Sequence, residues 1–139
     1  MELYRALECN NYIDETPTIK LAIYNSRRGW IDIEVPIDTG YSGALLLPSR
    51  MYFDIIEFEY PVNTFPVYRT LRGDIIMRRG IALIKVFDRE FEAYIETPMY
   101  GEGKLLVGRK LLNKLDIGLL GSKRKICLLK GEKSLENEV

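Results

Sequence analysis

Histidine is missing from all 139 residues, and its absence removes more chemistry than any motif in the chain adds. Ser-His-Asp and Cys-His nucleophilic catalysis both need an imidazole as general base, and most catalytic zinc sites use histidine ligands. An enzyme built from this chain has to work with carboxylates or lysines. Glutamine is missing too, while lysine, arginine and glutamate are plentiful, a bias reported for proteins from hot environments. Cysteine is scarce: Cys9 and Cys127 lie near opposite ends with no close-spaced partner, which is neither a zinc pattern nor a disulfide framework. They read as two unrelated thiols.

An excess of charge of one sign is also lacking. The 20 basic and 20 acidic residues cancel, so there is no global electrostatic reason for nucleic acid or a membrane surface to be the main partner. No apolar run is long enough for a spanning helix, and the opening MELYRALECNNYIDE carries charges throughout with no apolar signal core. These absences predict a cytosolic protein. The length fits one domain, able to bury roughly two thirds of its unfolded surface in a single core.

What is present is mostly strand pattern. Thr18 to Tyr24 and Trp30 to Ile37 alternate, and the connector Asn25-Ser26-Arg27-Arg28-Gly29 joins them as a β-hairpin. Ile31, Ile33, Val35 and Ile37 share one face, with Trp30, Asp32 and Glu34 on the other. Ala44 to Leu47 is a short buried run ended by Pro48, after which Ser49 is placed to cap a brief helix through Ile56. Strand signals cover Tyr60 to Leu71, Ile75 to Met77, Ile81 to Val86 and Glu90 to Glu96, with turns at Leu71-Arg72-Gly73-Asp74 and Phe87-Asp88-Arg89. Lys104 to Val107 reads as a buried strand, and leucines 111, 112 and 115 give a helical face over Arg109 to Leu115, with Gly118 past its end. Ile126 to Leu129 adds a last strand. The expected organisation is an N-terminal arm over 1–16, a mainly-β domain over 17–130 with one short C-terminal helix, and a flexible tail over 131–139.

One carboxylate stands out. Asp38 closes the alternating strand and is followed at once by Thr39 and Gly40, giving Ile37-Asp38-Thr39-Gly40-Tyr41-Ser42-Gly43 and then Ala44-Leu45-Leu46-Leu47-Pro48. About 70 positions on comes Leu105-Leu106-Val107-Gly108-Arg109-Lys110-Leu111-Leu112-Asn113-Lys114-Leu115. Asp-Thr-Gly alone recurs by chance in about one chain in thirty or forty of this length. Taken in order with their contexts, these pieces resemble the retropepsin-like aspartic proteases of the single-domain prokaryotic type, over roughly residues 18–121.

The resemblance implies an acid-protease β-barrel and an aspartic endopeptidase that needs no cofactor and no metal. Such chemistry requires two carboxylates, and this chain holds one Asp-Thr-Gly, so the active unit implied is a symmetric homodimer in which each chain gives one Asp38. Asp38 would hold the attacking water with its symmetry mate, Thr39 would hydrogen-bond across the axis, and Gly40 would let backbone approach without a Cβ. Leu71, Arg72, Gly73 and Asp74 resemble the tip of the flap that closes over a peptide substrate, with Tyr41 and Ser42 on the cleft side. Gly108 and Arg109 match the Gly-Arg before the family's helix. Two positions depart from the retroviral pattern: Ser42 stands where an acid commonly pairs with that arginine, and Tyr41 replaces a small residue.

Other readings are weaker. Arg72-Gly73-Asp74 is an adhesive tripeptide, but a charged turn explains it. Gly101-Glu102-Gly103-Lys104 is not a phosphate loop, because Leu105 follows the lysine and no glycine stands five positions before Gly103. Gly40-Tyr41-Ser42-Gly43 is one residue short of a nucleophile elbow and has no histidine to serve it. Arg69, Arg72, Arg78 and Arg79 make the presumed flap basic, which fits either a solvated face or a preference for acidic peptides. The rival from another class is a catalytically silent dimeric domain of the same fold that binds peptides or mediates assembly.

Overall fold

The computed structural model describes residues 2–133. In chain order the elements are β1 (Glu2–Asn11), β2 (Thr18–Asn25), β3 (Gly29–Pro36), β4 (Leu45–Leu46), α1 (Ser49–Ile55), β5 (Phe58–Glu59), β6 (Val67–Thr70), β7 (Gly73–Val86), β8 (Arg89–Pro98), β9 (Leu106–Val107), α2 (Arg109–Leu112), β10 (Ile117–Leu120) and β11 (Lys125–Lys133). The mainly-β expectation holds. One sheet orders its strands β3-β2-β7-β8-β4-β9, with β5 and β6 also pairing to β7; a second, three-stranded sheet runs β1-β11-β10.

Alternation built the expected hairpins. Strands β2 and β3 pair antiparallel from Thr18↔Pro36 to Asn25↔Gly29, and the connecting turn is held by the Asn25 side chain. Its Oδ1 accepts the Arg27 and Arg28 amides at 3.0 and 3.1 Å, and its Nδ2 donates to the Ile55 carbonyl at 2.9 Å. Every polar atom of this buried amide is thereby satisfied, as burial requires. The two-residue turn Phe87-Asp88 joins β7 and β8 in register from Val86↔Arg89 to Met77↔Pro98. Fully buried Ile19, Ile23, Val35, Leu45, Leu47, Ile84, Ile95, Val107, Leu111 and Ile126 form one core. At about 1.5–3 kcal/mol for each fully buried aliphatic side chain, this cluster is the main source of stability.

Several boundaries differ from expectation. Tyr60 to Leu71 is not one strand, because Pro61 and Pro66 lack ladder donors; a 3₁₀ turn over Val62–Thr64 fills the gap between β5 and β6. The segments Ile75 to Met77 and Ile81 to Val86 are one long strand running through Gly80, which pairs with Glu59. Ser49 does not cap α1; Pro48 occupies that position and no side chain caps the helix. The second helix is a single turn, Leu115 packs into the core just beyond it, and Gly118 lies inside β10.

The largest correction concerns the two ends. Most of the N-terminal arm is strand β1, paired antiparallel with β11. That pairing places Cys9 opposite Cys127, and the two form a disulfide across 118 positions rather than standing as unrelated thiols. Sequence distance concealed a spatial neighbour. Most of the expected tail, residues 134–139, lies outside the described residues.

Candidate active site

Asp38 stands where β3 has run out and the chain crosses to the short central strands. Its amide donates to the Val107 carbonyl at 2.9 Å, and Ile37 bridges Val107 in parallel. On the other side of β9, Leu45 pairs with Val107 and Leu46 with Leu106. Strand β9 is therefore wedged between the residues just before Asp38 and those just after Gly43. Apolar Ile37, Leu45 and Val107 suit this position because β9 and β4 bury their side chains in the core.

Helix α2 grips the same loop from behind. The Arg109 amide donates to the Tyr41 carbonyl at 2.9 Å, the Lys110 amide to the Gly43 carbonyl at 3.1 Å, and the Gly108 amide to the Ala44 carbonyl at 2.9 Å. Orphan amides at a helix start thus satisfy carbonyls of the Asp38 loop. The approach leaves no room for a side chain: a Cβ on Gly108 would fall 2.5 Å from the Tyr41 carbonyl oxygen. Gly108 is required by contact distance, not by an unusual φ.

Within the loop, the Gly40 amide donates to Asp38 Oδ1 at 2.8 Å and the Tyr41 amide to the Asp38 carbonyl at 3.1 Å. This Asx-type turn fixes the carboxylate's direction. Asp38 is half-buried, while Thr39 and Gly40 are exposed. The geometry presents one oriented carboxylate and the Thr39 hydroxyl at an open face. A surface concavity of about 700 Å³, lined by Trp30, Lys85 and Phe87, includes no residue of this loop.

Behind the loop lies a polar cluster that the sequence did not suggest. Glu96 on β8 is fully buried at 0% exposure. Its Oε1 accepts the Tyr41 hydroxyl at 2.5 Å and the Tyr68 hydroxyl at 2.8 Å, while its Oε2 accepts Arg79 Nε and Nη2 at 3.1 and 2.9 Å. Arg79 faces Glu96 as its cross-strand pair, and its guanidinium lies 4.5 Å from the Tyr94 ring centre. Burial and the adjacent Glu96 charge push the Tyr41 phenol far above its usual pKa. Burial and the hydrogen bond to Glu96 push Tyr68 up to about 12. Burial acts against the Arg79 charge, but Glu96 outweighs it and holds the guanidinium above its ordinary value.

The two departures from the retroviral pattern now have a structural setting. Tyr41 turns its hydroxyl onto Glu96. Arg109 is exposed and, among the described residues, meets no carboxylate within ion-pair distance. Among the described residues, the ion pair that the loop reaches by a hydrogen bond is Arg79–Glu96, through the Tyr41 hydroxyl.

Leu71, Arg72, Gly73 and Asp74 lie at the fully exposed tip of the β6–β7 hairpin, where Thr70 pairs with Gly73. Thr70 Oγ1 donates to the Gly73 carbonyl at 2.7 Å and accepts the Arg72 amide at 3.2 Å. Among the described residues the tip makes no hydrogen bond to the Asp38 loop; the link between hairpin and loop runs through Tyr68. Of the four flap arginines, Arg78 pairs with Glu59 and Arg79 with Glu96, while Arg69 and Arg72 meet no carboxylate within ion-pair distance among the described residues. No helix among the described residues is long and apolar enough to cross a membrane.

No protein-family model and no curated protein sequence matches the chain. Solved structures do. A retropepsin-like aspartic protease from Rickettsia conorii superposes with a TM-score of 0.56 at 16% identity, over 96% of this chain and 94% of that one. EIAV protease complexed with the inhibitor HBY-793 gives a TM-score of 0.56 at 16% identity, over 76% of this chain and 92% of that one. The wedge of β9 between the two sides of the Asp38 loop, backed by a Gly-led helix, is thus part of a retropepsin-like fold.

Proposed function

We propose that this chain is one half of a dimeric aspartic endopeptidase, in which Asp38 from each of two copies holds one water molecule between them. The observation that carries the reading is the oriented, half-buried Asp38 carboxylate at an open face of a retropepsin-like fold, in a chain with one Asp-Thr-Gly. Two carboxylates about 4 Å apart repel by roughly 4 kcal/mol at an effective dielectric of 20, so the pair shares a proton. This is the arrangement general to aspartic proteases. The ionised member takes a proton from water as its oxygen attacks the peptide carbonyl carbon, and the protonated member hydrogen-bonds the carbonyl oxygen. Collapse of the tetrahedral intermediate breaks the C–N bond, with a proton delivered to the leaving amine.

Thr39 and Gly40 complete the loop, and the β6–β7 hairpin with Leu71, Arg72, Gly73 and Asp74 at its tip closes over an extended peptide that pairs by strand addition. Tyr41 and Ser42 line the adjoining wall. The test is cleavage of denatured protein at pH 3–6, with and without a statine-type inhibitor, by wild type and by Asp38→Ala. The expected result is inhibitor-sensitive cleavage that falls at least about a hundredfold in the variant. Cleavage that survives the substitution removes the catalytic reading; tight peptide binding with no cleavage by wild type supports the silent module in its place.

A further inference from the structure

The Asp38 loop and the β6–β7 hairpin come from separate parts of the chain, yet two phenols, one from each, end on the same carboxylate oxygen. Tyr41 Oη lies 2.5 Å and Tyr68 Oη 2.8 Å from Glu96 Oε1, and their rings meet edge to face at 6.2 Å. We propose that Glu96 is a positioning residue that ties the Asp38 loop to the root of the hairpin, so that the wall carrying the carboxylate and the wall that closes on substrate are held in one relation.

Three features support a built tie. The Glu96 carboxylate is fully buried with both oxygens occupied, so it cannot trade these donors for water. Its register opposite Arg79 fixes it on β8 from a second side, and Leu46 pairs with it from a third. Gly43 leaves the space the cluster uses: a Cβ there would fall 2.6 Å from Glu96 Oε1 and nearer still to the Tyr41 hydroxyl. The tie also supplies an ion-paired anchor behind the loop, where Arg109 stands apart and Ser42 brings no charge.

The same chain provides a matched control. The Tyr52 hydroxyl donates to Glu59 Oε2 at 2.8 Å, and Arg78 Nε donates to that oxygen at 3.1 Å. This second Tyr–Glu–Arg cluster has like chemistry but, among the described residues, makes no hydrogen bond to the Asp38 loop.

The consequence for rate rests on the protease reading; the coupling itself does not. The experiment compares wild type, Tyr68→Phe, Tyr41→Phe, the double variant and Tyr52→Phe by amide hydrogen exchange over residues 38–43 and by kcat and KM on a cleaved peptide. Tyr68→Phe, a change on the hairpin, should speed exchange in the Asp38 loop by about tenfold, the effect of about one net hydrogen bond. It should also lower kcat as well as raise KM. Adding Tyr41→Phe should cost less than the sum of the single effects, because both act through one carboxylate. Tyr52→Phe should leave loop exchange and kcat as in wild type. Unchanged loop exchange in Tyr68→Phe, or a change equal to that in Tyr52→Phe, overturns the tie even if cleavage depends on Asp38. Cleavage independent of Asp38 overturns the protease reading, while loop exchange still decides the tie.

Discussion

Tyr68 donates its hydroxyl proton to a carboxylate it shares with Tyr41, and that places a titration in an unusual range. Its pKa is raised from 10.0 to about 12 by burial and by the hydrogen bond to Glu96. A raised value means the neutral form is favoured in the folded chain. The contribution is therefore complete below pH 10 and is lost as pH rises to about 12. Urea unfolding of wild type and Tyr68→Phe should show a stability gap that is constant up to pH 10 and closes toward pH 12. Tyr41 is shifted in the same direction, partly by Tyr68, so the gap reports the shared Glu96 cluster through its Tyr68 member. A gap unchanged from pH 9 to about 12 would contradict the assignment. At this scale the sequence was legible where chemistry is contiguous. Asp38-Thr39-Gly40 and Gly108-Arg109 could be read directly, because each motif's residues are neighbours in the chain. Tyr41, Tyr68, Arg79 and Glu96 could not, because four segments must fold before they meet. Counting back from the Phe87-Asp88 turn does set Arg79 opposite Glu96. Nothing in the alternation, however, marked Glu96 as buried.

At the scale of elements, the sheet of β1, β11 and β10 owes its closure to the two ends of the chain. Its central pairing runs from Glu2↔Lys133 to Asn11↔Lys125, with one irregularity between Ala6 and Glu8. The Cys9–Cys127 disulfide fastens that pairing. Closing a loop of this length removes chain entropy from the unfolded state, so reduction, or Cys127→Ser, should lower unfolding free energy by about 2–5 kcal/mol. Denaturation with and without reductant reads this; equal stability in both would place the strand pairing's support elsewhere. Strand β1 was obscured in the sequence by the extra residue Leu7, which breaks the simple two-residue alternation of ELYRALECNN. With β1 unrecognised, Cys9 had no visible neighbour. A disulfide is also a bond that reducing compartments rarely preserve outside hyperthermophiles. In the large sheet, the β2–β3 and β7–β8 hairpins were readable because alternation and turn residues agree. The two prolines that split Tyr60 to Leu71 acted through missing amides, a local effect that apolar content alone did not convey.

For the whole molecule, order along the chain carried the fold further than any one motif. An apolar strand into Asp-Thr-Gly and an apolar strand into Gly-Arg are the parts that meet around β9, and the Gly-tipped hairpin joins them through the Tyr68–Glu96 hydrogen bond. The superposition on two retropepsin structures covers most of this chain at 16% identity. What one chain cannot supply is a second Asp-Thr-Gly carboxylate. In the proposed mechanism, catalysis takes one Asp38 from each of two copies. It is tested most directly by mixing wild type with Asp38→Asn at equal concentrations, above the dimer dissociation constant, and letting subunits exchange. If each active unit needs two Asp38 residues, only wild-type pairs cleave, and activity should fall to about half that of the same amount of wild type alone. Activity that stays at the wild-type level after exchange would show that each chain acts by itself, and would contradict the shared site.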